Sequence, residues 1–192
     1  MNYIIFDLEA TCWKHPRPTY KQEVIEIGAI LVDEYAHATA VFSEFIQPIY
    51  HPTLSPFCRE LTSIEQDDVA NARLFPEVIE AFKEWIGFFD DEEYILCSWG
   101  FFDKKIFTNN CELHQIDDDW VEPHISLKHQ YQKVKGLSRK IGLKRAVEKE
   151  GFEFTGTHHR GIDDAHNLAK IFGKYFDEWV YWNDTKYGKN IY

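Results

Sequence analysis

Cysteine is scarce in this sequence, and its arrangement indicates neither a disulfide framework nor a zinc site. The chain has four cysteines, Cys12, Cys58, Cys97 and Cys111, and no two of them form a Cys-x-x-Cys pair. The sequence also lacks a signal-peptide pattern and a hydrophobic run of membrane-spanning length. These absences predict a cytoplasmic protein with reduced thiols and no association with membranes.

Internal repeats, linkers and low-complexity segments are absent as well. A chain of 192 residues, of which 44% are hydrophobic and 16% aromatic, can bury a core without disulfides or structural metals. We therefore predict one globular domain over residues 1–192.

Positive charge is also scarce, which argues against a long groove for double-stranded nucleic acid. Lys and Arg total 21 against 32 Asp and Glu, a formal net charge of −11, whereas affinity for nucleic acid normally depends on cations that neutralise phosphates. A short single-stranded substrate held near a metal site remains compatible with this charge. Basic residues are concentrated in one run, which consists of Lys128, Lys133, Lys135, Arg139, Lys140, Lys144, Arg145 and Lys149. Such a run is more commonly a solvated helix face, and contact with phosphates is the alternative.

The hydrophobic stretch over residues 3–9 predicts a buried strand that ends in two acidic residues. Because side chains alternate across a strand, Asp7 and Glu9 point to the same face. Their repulsion at about 4 Å costs on the order of 1 kcal/mol in water and roughly 4 kcal/mol at an effective dielectric constant of about 20. A divalent cation would remove this cost, since Mg²⁺ and Mn²⁺ bind carboxylate oxygens. A solvated acidic pair is the alternative interpretation.

The remaining hydrophobic pattern predicts an α/β fold with a mixed five-stranded sheet flanked by helices. Further strands are predicted over residues 23–32, 37–46, 94–99 and 120–121. A polar loop with Pro16 and Pro18 is expected before the second strand. The predicted helices are a short one that begins at Thr62 or Ser63, and longer ones near residues 75–89, 103–113, 127–134, 137–149 and 163–179.

A third acidic residue is a candidate for the same site. Asp103 follows the strand over residues 94–99. If that strand lies parallel to the first, both carboxyl ends meet at the edge where open α/β sheets bind their ligands. An acidic residue favoured by the helix dipole is the alternative explanation for Asp103.

Two histidines precede the last helix, whose first turn contains two aspartates. His158 with Asp163 and His159 with Asp164 have the same spacing, so spacing does not distinguish them. Beside a metal–carboxylate site, a neutral histidine can take a proton from an attacking water near physiological pH. The alternatives are helix caps for the aspartates and a zinc fragment for the histidines, although no third nitrogen or thiolate ligand has useful spacing.

Five segments combine into a pattern that none of them forms alone: FDLEATCW (residues 6–13), EVIEIGA (23–29), LSPFCRELT (54–62), WGFFD (99–103) and HHRGIDD (158–164). In this order they resemble the DEDDh 3′→5′ exonuclease superfamily (DnaQ-like, with the RNase H-like fold). Within that superfamily the pattern is similar to the branch of Eri-type exoribonucleases and bacterial KapD-like proteins. The resemblance extends from residue 3 to about residue 170.

The resemblance implies both a set of site residues and a register for the histidine. Asp7, Glu9, Asp103 and Asp164 would bind two Mg²⁺ or Mn²⁺ ions, and His159 would be the general base. Two cations about 3.5–4 Å apart would clamp the scissile phosphate, so that single-stranded RNA or a short oligonucleotide is hydrolysed from its 3′ end to nucleoside 5′-monophosphates. The residues implied to contact the terminal nucleotide are Glu9, Ala10, Thr11, Leu61, Thr62 and His159.

Three other functions remain open. They are a DNA-directed trimming or proofreading exonuclease of the same superfamily, a non-catalytic RNA-binding protein and a self-associating structural protein. One departure from the family is Ser63, where relatives often carry glycine, and it can alter how the 3′ end is held. Self-association would depend on aromatic residues for which core packing is the better interpretation, namely Phe172, Tyr175, Phe176, Trp179, Tyr181, Trp182 and Tyr187.

Overall fold

The computed structural model describes residues 1–15, 17 and 19–181. Pro16 and Pro18 of the predicted loop, and Trp182 and Tyr187 of the aromatic segment, lie outside the described residues. The strands are β1 (Asn2–Ala10), β2 (Val24–Val32), β3 (Ala38–Gln47), β4 (Arg73–Leu74), β5 (Tyr94–Ser98) and β6 (His124–Ser126). The α-helices are α1 (Pro56–Thr62), α2 (Gln66–Ala70), α3 (Phe75–Trp85), α4 (Phe102–His114), α5 (Leu127–Val134), α6 (Leu143–Lys149) and α7 (Gly161–Lys174). Within this part of the chain, no helix combines the length and apolar content needed to cross a bilayer.

The predicted α/β architecture is confirmed, but the mixed sheet has six strands instead of five. Its order is β4-β3-β2-β1-β5-β6; β1 to β3 are antiparallel, and β5 and β6 run parallel to β1. The strand predicted over residues 120–121 is wrong, because Asp119–Val121 forms a 3₁₀ turn. Trp120 is fully buried there and packs edge-on against Phe82 and Phe107. The apolar residues at this position therefore reflect burial in the core and do not indicate a strand.

One further strand and several helix ends differ from the sequence prediction. β4 has two residues, too few to produce a hydrophobic period, and it pairs with the end of β3. The short helix predicted to begin at Thr62 or Ser63 begins at Gln66, with Glu65 as its N-cap. An unpredicted helix, α1, precedes it: Ser55 caps α1 through its Oγ, which accepts the Cys58 N–H at 3.0 Å, and Thr62 is its last residue. The helix predicted from residue 137 begins later, at Leu143. The last α-helix ends at Lys174, and a 3₁₀ turn follows.

Alternation along β1 divides the core between the two faces of the sheet. Ile4, Phe6 and Leu8 pack against α3 and α4, whereas Tyr3 and Ile5 pack against α5, α6 and α7. The aromatic residues at the end of the described chain, including Phe172, Tyr175 and Trp179, are buried in the second face. Core packing therefore explains the described aromatics, as the sequence favoured. Asp7 and Glu9 share the second face with Ile5, where α7 crosses the sheet.

The N-terminus of α7 approaches β2 so closely that a Cβ does not fit at Gly28 and would be tightly packed at Gly161. A Cβ at Gly28 would overlap the backbone carbonyl carbon of Gly161 and the nitrogen of Ile162. A Cβ at Gly161 would lie 3.1 Å from the Asp7 carbonyl oxygen and 3.2 Å from the Gly28 nitrogen. This contact holds the first turn of α7, with Asp164, against the strand that carries Asp7.

Gly28→Ala is expected to lower the free energy of unfolding by about 1–3 kcal/mol, because the added methyl group forces α7 away from the sheet. Gly173→Ala, in the last turn of α7, provides the control: nothing lies within 4 Å of its Cβ position, and alanine favours a helix by roughly 1 kcal/mol over glycine. Urea unfolding of both variants measures the difference. Equal stability of the two would contradict the close contact.

Candidate active site

Three acidic side chains meet at the carboxyl end of β1, where α7 begins. Each of Asp7, Glu9 and Asp164 offers an oxygen atom, and these three atoms lie within 4.8 Å of one another. Glu9 and Asp164 are buried, and Asp7 is partly exposed. Strand alternation places the first two on one face, and the Gly28–Gly161 contact brings the third to them.

Asp103 reaches the same edge of the sheet from the first turn of α4. Its Oδ1 accepts a hydrogen bond from the backbone N–H of Leu8 at 3.4 Å, between the two acidic residues of β1. β5 runs parallel to β1, which is the condition under which Asp103 was expected at this edge of the sheet. The structure thus brings all four predicted acidic residues to one end of the sheet, with three in one tight group and Asp103 attached to the backbone beside it.

The charges in this group repel one another, and burial adds to the cost of ionisation. Burial, followed by the charges of neighbouring carboxylates that include Asp103, raises the pKa of Asp7 well above its usual range. Burial and the charge of Asp164 raise the pKa of Glu9 to about 9. Burial raises the pKa of Asp103 to about 6, and it also raises the pKa of Asp164. Ionised together, these groups destabilise the metal-free fold.

The metal-free protein is therefore expected to lose stability as the pH rises from about 5 to about 9. Each of these carboxyls has a higher pKa in the folded state than in the unfolded chain, so the folded state binds more protons and ionisation favours unfolding. The decrease is up to about 1.4 kcal/mol per pH unit for each group within its window. This window runs from 4.5 to about 9 for Glu9 and from 3.8 to about 6 for Asp103. Urea unfolding in EDTA across this range measures the slope, and stability that increases with pH would contradict it.

Both histidines contact Asp164, and neither contact involves Asp163. The Nδ1 atom of His158 lies 3.0 Å from Oδ1 of Asp164, and the backbone N–H of His159 donates to Oδ2 at 3.2 Å. The two imidazole rings stack with centroids 4.0 Å apart. Asp163 instead accepts the backbone N–H of Thr157 at 2.8 Å. Asp164 is therefore the aspartate of this turn that faces the acidic group.

His159 occupies a backbone conformation that few residues adopt. Its φ is 66°, in the left-handed region, and this conformation turns its backbone N–H toward Asp164. Burial lowers the pKa of His159, and the charge of the neighbouring His158 lowers it further. The imidazole is thus neutral at physiological pH, the form that accepts a proton.

Glu26 is a residue of this region that the sequence analysis did not assign a role. It lies opposite Glu9 in the β1–β2 ladder and is 1% exposed. Its carboxylate accepts the backbone N–H of Gly161 at 2.9 Å and two hydrogen bonds from the Arg160 guanidinium at 3.2 and 3.3 Å. Glu26 thereby holds the start of α7 and pairs with the Arg160 guanidinium. A lone glutamate within an apolar strand was the available signal, since a buried charge needs a partner.

The residues predicted to seat the nucleotide surround the end of β1, but they differ in accessibility. Leu61 is 36% exposed, whereas Thr11 and Thr62 are buried. The Thr11 Oγ1 accepts the Glu23 N–H at 2.9 Å, and the Thr62 Oγ1 donates to the Cys58 carbonyl at 2.8 Å. Both hydroxyls therefore hold backbone in place, while Leu61 is exposed in α1 and Ala10 is the last residue of β1.

Ser63 lies at the end of a helix and not at the start of one, and two lysines of the basic run make contacts within the fold. Ser63 caps α1 with a φ of 57°, a left-handed conformation in which glycine carries no steric penalty. In the basic run, Lys135 lies 3.1 Å from the buried carboxylate of Glu150, and Lys140 lies 3.0 Å from the Nε2 atom of His129. These two lysines are part of the folded structure around α5 and α6.

Comparison with known proteins agrees with this geometry. The family model described as Exonuclease (RNase_T) matches residues 4–172. The human "3'-5' exoribonuclease 1" is 29% identical over 174 residues, covering 87% of this chain and 50% of that protein. The Xenopus laevis "ERI1 exoribonuclease 2" is 30% identical over 193 residues, covering 88% of this chain and 27% of that protein. The chain thus spans half or less of the length of these relatives.

Among solved structures, the nuclease domain of 3'hExo, a DEDDh family member bound to rAMP, superimposes with a TM-score of 0.86 and 26% identity. The match covers 95% of this chain and 94% of that one, which confirms the RNase H-like fold. The chain therefore belongs to the exonuclease family, on the DEDDh branch that includes the Eri-type 3′→5′ exoribonucleases.

Proposed function

We propose that this chain is a metal-dependent 3′→5′ exoribonuclease that removes nucleoside 5′-monophosphates from the 3′ end of single-stranded RNA. The observation that carries the proposal is the meeting of Asp7, Glu9 and Asp164 within 4.8 Å, with Asp103 on the adjoining backbone and two histidines against Asp164. RNA is proposed ahead of DNA because the relatives described above are named exoribonucleases and the 3'hExo domain is bound to rAMP.

The donor set fits Mg²⁺ or Mn²⁺. All four candidate ligands are carboxylates, the oxygen donors that these hard cations prefer, and a cation would offset the mutual repulsion that helps to raise their pKa values. Asp7, central to the repulsion, would hold the ions together with Glu9, Asp103 and Asp164. When bound, such a pair of cations supplies Lewis-acid polarisation of the scissile phosphate and of the attacking water.

The chain's own side chains supply the proton acceptor and the seat for the 3′ end. His159, neutral because burial lowers its pKa, is proposed to accept the proton of the attacking water at its imidazole nitrogen. Its position is set by the left-handed turn and by the hydrogen bond to Asp164. Glu9, Ala10 and the exposed side of Leu61 are proposed to hold the terminal nucleotide in line with this base.

A gel assay tests the proposal. Single-stranded RNA and DNA of one sequence, labelled at the 5′ end, are incubated with the protein in Mg²⁺, Mn²⁺ or EDTA. The expected result is a ladder that shortens from the 3′ end, depends on metal and proceeds faster on RNA. Faster shortening of DNA would instead identify a DNA-directed exonuclease. Intact substrate in every lane, with folded protein that binds RNA, would favour the non-catalytic RNA-binding protein.

Mg²⁺ or Mn²⁺ is expected to raise the melting temperature, because a ligand that binds the folded state alone stabilises it. At about 100 times the Kd the gain is roughly 2.7 kcal/mol, or about 5–10 °C for a chain of this length. Asp164→Asn should remove most of this shift, and Asp163→Asn, which changes the neighbouring residue that caps Thr157, should retain it. A shift that is lost equally in both variants, or absent from the wild type, would refute the assignment of Asp164 as a ligand.

A further inference from the structure

Two of the four cysteines lie together beside the proposed nucleotide seat. Cys12 follows the end of β1 and is partly exposed, and Cys58 is fully buried in α1. Both belong to a small apolar cluster between β2, α1 and α2, in which Cys12 packs against the group that contains Cys58. Cys97 and Cys111 are buried in the two separate faces of the main core.

One serine connects the backbones at the two cysteines. The Ser55 hydroxyl donates to the Cys12 carbonyl oxygen at 2.6 Å and accepts the Cys58 backbone N–H at 3.0 Å. The Cys58 Sγ lies 3.7 Å from the carbonyl oxygen of Ala10, two residues before Cys12. The two backbones are therefore separated by the reach of a single side chain, which is the order of distance that a disulfide spans.

The environment lowers the pKa of one thiol of this pair. A hydrogen bond from Cys12 lowers the pKa of Cys58 to about 7, and the same interaction raises the pKa of Cys12. Burial raises the pKa of Cys97 and brings that of Cys111 to about 12. The thiolate is the form that reacts with oxidants, so the lowered pKa favours reaction at Cys58, and the partly exposed Cys12 beside it gives the pair its contact with solvent.

We propose that Cys12 and Cys58 form a reversible disulfide when the protein meets a peroxide, and that this bond joins the end of β1 to α1 and stops turnover. In the first step the Cys58 thiolate attacks one oxygen of hydrogen peroxide, the O–O bond breaks, and Cys58 becomes a sulfenic acid with release of hydroxide. In the second step the Cys12 sulfur displaces the hydroxyl group and loses its proton, so that the S–S bond forms with release of water. Two thiols are oxidised, and one peroxide is reduced to two waters once the hydroxide is protonated.

The effect on turnover follows from where the bond would form, and it depends on the proposed exonuclease function. Ala10 and Thr11 directly precede Cys12, and Leu61 and Thr62 lie one helical turn beyond Cys58. An S–S bond of about 2 Å is shorter than the contact of two thiols, so both side chains must turn toward each other, and the bond then ties the end of β1 to α1 and draws on the segments that carry the proposed seat. A displacement of about 1 Å at a substrate seat can lower turnover roughly 100-fold.

Peptide mapping tests whether the bond forms, independently of catalysis. The 192-residue chain in EDTA is treated with hydrogen peroxide, alkylated without reduction and digested with trypsin. The expected product is a cross-link between peptides 1–14 and 22–59, which carry Cys12 and Cys58, together with the loss of two titratable thiols that dithiothreitol restores. Cys12→Ser and Cys58→Ala should each lack this product, and Cys111→Ala, a control at a buried cysteine outside the pair, should form it. Absence of the cross-linked peptides from the oxidised wild type would overturn the proposal.

Turnover of the same samples tests whether the disulfide lowers nuclease activity. After removal of peroxide and addition of metal, the cross-linked wild type should show roughly 100-fold lower turnover, which dithiothreitol should restore, while peroxide-treated Cys12→Ser keeps more of its activity. Full turnover of the cross-linked protein would overturn the switch. Reduced wild-type protein without any nuclease activity would refute the proposed function instead, and the peptide map would still decide whether the cysteine pair is oxidised.

Discussion

Asp7→Asn is expected to abolish hydrolysis and, in the absence of metal, to make the protein more stable than the wild type. The two effects have one cause. The Asp7 carboxylate is held among Glu9, Asp103 and Asp164, whose charges raise its pKa. The neutral amide removes this repulsion. Its cost is on the order of 1 kcal/mol in water and roughly 4 kcal/mol at an effective dielectric constant of about 20. The substitution also removes a carboxylate that would hold the cations, and a loss of roughly 4 kcal/mol of transition-state stabilisation is about 10³-fold in rate.

Urea unfolding in EDTA and the 3′-end assay measure the two effects on the same preparation. Asp67→Asn makes the identical chemical change at an exposed position in α2 and should alter neither property. An unfolded Asp7→Asn protein would assign Asp7 to the architecture of the sheet edge and not to chemistry. A folded variant that retains wild-type turnover would remove Asp7 from the proposed metal site.

His159→Ala is expected to reduce turnover by about 10²–10⁴-fold, the contribution typical of a general base. The variant should keep the metal-dependent rise in melting temperature, because Asp164 and the acidic residues of β1 remain. His158→Ala should cost less than about tenfold, although His158 contacts Asp164 in the metal-free protein, because that contact gives way once Asp164 binds a cation. The pair differs by one residue in the same turn and therefore provides its own control.

The pH dependence of kcat/KM adds a second readout for His159. Because burial lowers the pKa of His159, and bound cations act in the same direction, the acidic limb of the profile should lie below about pH 6.5, the ordinary value for histidine. Loss of this limb in His159→Ala, measured on the residual activity, supports the assignment as base. Greater damage from His158→Ala than from His159→Ala would reverse the register of the two histidines.

Local periodicity determined much of the fold from the sequence alone. The strand through Asp7, the helix over Leu127–Val134 and the face shared by Asp7 and Glu9 all follow from the spacing of apolar residues along a few turns or pleats. The predicted order of strands and helices also placed Asp103 at the edge of the sheet that the site occupies. The choice between the two histidine registers came from resemblance to a family, because equal spacing contained no preference.

Tertiary structure decided what depends on contact between distant segments. Nothing in the local sequence shows why Gly28 and Gly161 are glycines. The reason appears once α7 crosses β2, because the two backbones then leave no room for a Cβ at Gly28 and little at Gly161. In the same way, Glu26 acquires a role from Arg160 and Gly161, 134 and 135 residues away, and Cys12 meets Cys58 through the fold of α1 against β1. Short pieces such as β4 and the 3₁₀ turn at Trp120 also depend on their neighbours, since two or three residues bury too little surface to choose a conformation by themselves. The sequence thus determined which face each functional side chain occupies, and the packing of α7 and α1 against the sheet determined which of them meet.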